Sequence, residues 1–120
     1  MTILLIGGYP KGHDIPFHPN TRSGKILRKI IKENNLNPKI INLWENDKQE
    51  KTAIISTKII DSINLLKPNH HIVALGRWQK KALIKHKIKC TYLPHPASWQ
   101  PLDRPKLIKG LIKLNNNKIT

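Results

Sequence analysis

Four short apolar runs recur along the chain, separated by stretches whose apolar residues follow a helical period, and this alternation constrains the fold more than any other feature. The runs are "TILLIGG" (2–8), "KIINLW" (39–44), "HIVALG" (71–76) and "KIKCTYLP" (87–94). Each is rich in β-branched residues or leucine and closes near Gly, Asn or Pro, which suits strands buried on both faces of a parallel sheet. Between them, "SGKILRKIIKENNL" sets Ile26, Leu27, Ile30 and Ile31 on one stripe, with Lys and Arg opposite. Residues 51–66 repeat the pattern through Ile54, Ile55, Ile59, Ile60 and Ile63, predicting a second helix. "RWQKKALIK" and "RPKLIKGLIKL" predict a third and a fourth. Strand and helix in alternation predict an α/β fold: three α/β/α layers around a central four-stranded parallel sheet.

A chain of 120 residues holds one such core, so residues 1–114 are read as a single domain and the tail 115–120 as a fraying end. The N-terminus lacks a basic signal-peptide segment, and no run approaches the ~20 apolar residues that cross a bilayer. The lone cysteine, Cys90, excludes an intrachain disulfide, a cysteine-ligated iron–sulfur cluster or a cysteine zinc site within one chain. The expectation is a cytoplasmic monomer with neither cofactor nor metal and no membrane partner. Its charge is lopsided: 22 basic against 7 acidic residues, formally +15. A polyanion is the natural partner, because each phosphate neutralised releases counterions. Nucleic acid leads over a lysine-rich surface without a specific partner.

In open parallel sheets, ligands sit beyond the carboxyl ends of the strands. That rule selects residues 7–24, 42–47, 76–79 and 94–100, which also hold the polar residues least typical of this chain.

Taken in order, these places resemble the uracil-DNA glycosylase superfamily. The first strand runs into "GGYP" (7–10), followed by "IPF" (15–17) and a helix start "RSGKIL" (22–27). The second strand ends at Asn42, the third at Gly76, and the fourth leads into "HPAS" (95–98). The likeness spans residues 4–98 and is nearest the smaller, cluster-free bacterial and archaeal branches. It implies a metal-free DNA glycosylase that hydrolyses the N-glycosidic bond of a flipped uracil or modified base, in single-stranded or distorted DNA. By the same resemblance, His95 stabilises the departing base, Phe17 stacks on it, Asn42 reads its edge, and Gly8 and Tyr9 border it. Lys11, Arg22, Ser23, Gly24, Arg77 and Ser98 are the candidates for DNA phosphate.

Each of these residues also has a plainer reading. For Phe17 it is a core phenylalanine and for His95 an exposed turn residue, each ranked second to the pocket, while for Asn42 the residues alone put a turn-satisfying amide first. Ser23 suits a helix cap, and Trp99 suits either a wedge into DNA or simple packing. The family pattern carries an acid or amide at the second or third position of the first loop, where this chain has Gly8 and Tyr9. Thr21, at a later place where some branches carry an acid, is none either. Asp14 is the remaining candidate for positioning water, with pairing to Lys11 or Arg22 as its structural alternative. A catalytically impaired member that binds nucleic acid without cleaving it is the second expectation.

Overall fold

A computed structural model describes residues 2–8 and 16–117. Four strands, β1 (Thr2–Gly7), β2 (Lys39–Asn42), β3 (His70–Leu75) and β4 (Thr91–Leu93), form one sheet in the order β2-β1-β3-β4. Every pairing is parallel, with Leu5 opposite Ile40 and Val73, and Ala74 opposite Tyr92. Among the described residues five α-helices flank it: α1 (Arg22–Glu33), α2 (Asp47–Thr52), α3 (Thr57–Leu66), α4 (Arg77–Lys85) and α5 (Asp103–Asn117).

Side chains of successive strand residues point to opposite faces, and the core divides accordingly. Leu4, Ile6, Ile72 and Ala74 enter one cluster with Trp44, Ile63, Ala82 and Leu83 from the segments around α2, α3 and α4. Ile3, Leu5, Val73 and Leu75 enter the other with Leu27 and Ile30 of α1 and Leu107 and Leu111 of α5. The three-layer α/β/α expectation holds. On the second face the contact between α5 and β4 is tight: a Cβ added at Gly110 would overlap the Cδ atoms of Leu93.

Several boundaries differ from the sequence reading: α5 runs on to Asn117, into the stretch read as a fraying end, and β2 stops at Asn42, short of the run 39–44. The helix expected over 51–66 is two helices. Asn46 caps α2 by accepting the Gln49 amide at 2.9 Å, and Ala53 ends it in the left-handed region, φ 56°. Ser56 then caps α3. The fourth strand is shorter than 87–94, because α4 runs on through Lys85 and Lys87 (φ 60°) turns the chain, so residues 86–90 serve as a connection. Ile88 still packs into the core, which explains why the segment reads as apolar.

Candidate functional site

The loop before α1 is tied down through its carbonyls. Thr21, not Ser23, caps the helix, accepting the Gly24 amide at 3.0 Å while donating its hydroxyl to His18 O at 2.8 Å. Arg28, farther along α1, donates Nε to Phe17 O and Nη2 to Pro16 O, each at 2.8 Å. Gly24 admits this close approach, since a Cβ there would overlap His18 O. The clamp holds Phe17 at φ 50°, a left-handed conformation that costs a side-chain-bearing residue about 1–2 kcal/mol. Phe17 is thereby both things the sequence left open: a member of the α1/α5 core cluster and a wall of the cavity beyond the strand ends.

His95 follows β4 at the start of a tight turn in which Ser98 N donates to His95 O at 3.0 Å. The Ala97 amide donates to His95 Nδ1 at 3.1 Å. A donor at Nδ1 fixes the neutral ring with its proton on Nε2, making that nitrogen the hydrogen-bond donor. The His95 ring lies 6.1 Å from that of Phe17, centroid to centroid, tilted by 41°. Arg22 ties the two loops together, donating to Ala97 O and stacking 3.8 Å over the exposed ring of Trp99.

The second wall comes from helices. Gly76 at φ 120° starts α4 directly at the end of β3, a turn that glycine makes without strain. Gln79, in the first turn, is 7% exposed. From α2 comes Glu50, whose own carbonyl accepts the indole N–H of Trp78 and so joins α2 to α4. Glu50 Oε2 and Gln79 Nε2 lie 3.2 and 3.0 Å from where a Cβ on Gly8 would stand. Asn42 Oδ1 lies 2.9 Å from the corresponding point on Gly7, with the Phe17 ring on the same side.

These groups surround one cavity of about 310 Å³, lined by Phe17, Arg22, Asn42, Glu50, Gln79 and His95, among others. That volume is at the small end of ligand pockets, about 300–1,000 Å³, and fits a single ring better than a whole nucleotide. Of the residues expected at the site, Gly8, Phe17, Arg22, Ser23, Asn42 and His95 come together here. Gly24 is buried with its amide engaged by Thr21, and Ser98 donates its hydroxyl to Asp103 at 2.6 Å. Arg77 borders neighbouring grooves, one shared with His95 and Lys106, the other with Lys80, Lys81 and Tyr92. Tyr9, Lys11 and Asp14 lie outside the described residues.

Glu50 and Gln79 were missed by the sequence reading. The available signal was "NDKQ" (46–49), an Asn cap followed three residues later by Gln, which starts a helix at Asp47 and brings Glu50 toward the end of β2. Three other histidines are engaged in the framework: His70 with Leu66 O, His71 with Thr91 and His86 with Ala82 O. Burial pushes the Cys90 thiol up, only partly offset by Lys80, so it remains protonated at neutral pH. No protein-family model matches this chain, and no curated protein or solved structure matches it either.

Proposed function

We propose that this protein is a monofunctional DNA glycosylase that hydrolyses the bond between deoxyribose and a flipped uracil or modified base. One observation carries the reading: Phe17, Asn42 and His95 line the same ring-sized cavity beyond the carboxyl ends of the strands. An enzyme that acts on a base must take it out of the stack and hold it by its face and its edge. Phe17 offers the face, a contact worth about 1–3 kcal/mol. Asn42 offers a donor and an acceptor matched to the amide-like edge of a pyrimidine.

His95 supplies the chemistry of departure. As the glycosidic bond stretches, negative charge gathers on the base and its carbonyl oxygen, and the Nε2–H donates to it. One preorganised donor of this kind lowers a barrier by about 3 kcal/mol. The basic groups at the rim, Arg22 and Arg77, answer to the phosphates that flank the extruded nucleotide.

The test is incubation of the purified protein with uracil-containing single- and double-stranded oligonucleotides, scored as alkali-labile abasic sites. Cleavage at uracil, stronger in the single strand, is the expected result. Silence on uracil, hypoxanthine, xanthine and hydroxymethylated pyrimidines refutes the reading. Affinity for the same oligonucleotides is expected to fall with salt at a log–log slope of roughly −4.5, as for about five neutralised phosphates.

A further inference from the structure

We infer that Glu50, steadied by Gln79, is the catalytic base that holds and deprotonates the attacking water, so that the carboxylate reaches the cavity from α2 and not from the first loop. This rests on the glycosylase reading and goes beyond it by assigning the nucleophile's partner. Glu50 is the one carboxylate among the described residues that line the cavity. No ion pair engages it among the described residues.

Gln79 is the second observation. Its side chain is more than nine-tenths buried and lines the cavity, yet its amide has no hydrogen-bond partner among the described residues. The amide is accessible from that space and presents a donor and an acceptor to whatever enters it. Glu50 Oε2 and Gln79 Nε2 converge on the space in front of Gly8, at 3.2 and 3.0 Å from the point where a Cβ would begin. An acceptor and a donor aimed at one space are the arrangement that orients a water: the carboxylate takes its hydrogen, and the amide N–H meets its oxygen. Gly8, having no side chain, leaves the approach open.

The support beneath this pair is rigid. Asn46 caps α2, Gln49 Oε1 accepts the Glu45 amide at 2.9 Å, and Trp78 holds the Glu50 carbonyl. The Glu50 carboxylate thus projects from a turn fixed at both ends.

The step balances. The bond from C1′ to the base nitrogen breaks, and its electron pair leaves with the base. The water oxygen bonds to C1′, and the water's proton passes to the Glu50 carboxylate. That proton then goes, through solvent, to the base anion. The products are a neutral base and an abasic sugar, and Glu50 is again ionised. Before attack, the same negative charge favours the cationic sugar.

The experiment compares wild type, Glu50→Gln and Glu50→Asp on a uracil-containing single-stranded oligonucleotide under single-turnover conditions. Binding to an oligonucleotide carrying a tetrahydrofuran abasic analogue is measured in parallel, with thermal melting as the folding control. Glu50→Gln is expected to slow abasic-site formation about a hundredfold or more while binding the abasic analogue within about twofold of wild type. Glu50→Asp is expected to recover part of the rate. An active wild type with an equally active Glu50→Gln overturns the assignment and leaves the glycosylase reading standing. A wild type silent on every base overturns both.

Discussion

Phe17 and His95 reach the cavity from loops whose backbones are tied down atom by atom, whereas Glu50 and Gln79 reach it from the first turns of two helices. On the loop side, Arg28 grips two carbonyls, Thr21 grips a third, and the Ala97 amide sets the histidine ring. On the helix side, position comes from an asparagine cap, a glycine turn and one indole bond between α2 and α4. Under the proposed glycosylase reading the two sides have different tasks. A stacking face and an oxyanion donor must meet a rigid base, so small displacements are costly. A group that holds water tolerates more movement, since the water itself adjusts.

The comparison is broken most sharply at the loop side. His95→Ala is expected to cut the rate of abasic-site formation by about a hundredfold or more, as loss of one oxyanion donor does, with thermal stability nearly unchanged. Full activity in that variant would move the chemistry elsewhere.

Arg28→Ala tests the clamp. Removing two hydrogen bonds from a charged donor is expected to cost about 2–3 kcal/mol in urea-unfolding stability, and the freed Phe17 then relaxes from its left-handed backbone. Weaker binding of uracil-containing oligonucleotides should accompany the loss. A variant that loses stability and keeps its affinity would show that Phe17 does not need the clamp. Gly24→Ala presses a methyl group into His18 O and is expected to cost about 1–3 kcal/mol by the same measurement.

The helix side responds less. Asn46→Ala removes the α2 cap and is expected to cost about 1 kcal/mol, with a rate loss of only a few-fold as Glu50 loosens. Equal rate losses for Asn46→Ala and Arg28→Ala would erase the distinction between the two sides.

The sheet was legible in the sequence because buried parallel strands leave continuous apolar runs, and β1 and β3 are of this kind. Helix α1 was legible because Leu27 and Ile30 repeat on one buried stripe. The break between α2 and α3 was not, because Ile54 and Ile55 continue an isoleucine periodicity through a connection that is not helical. There Ile55 is buried while Ile54 is 51% exposed, as the two ends of a turn should be. At the site, the loop residues announced themselves by chemistry: a lone phenylalanine between Pro16 and His18, and a histidine between two prolines. Glu50 carried no such mark. A glutamate in a lysine-rich helix reads as a solvated charge, and only the packing of α2 against α4 turns it inward.

The missing Cβ at Gly110 has a consequence well away from its own helix. Leu93, which fills that gap, stands two residues before His95 on a strand of three residues. The depth to which α5 settles on the sheet is therefore felt in the short strand that leads to His95. A methyl group at Gly110 would first displace the flexible end of the Leu93 side chain, so the last helix and the strand that leads to the cavity are fitted to one another.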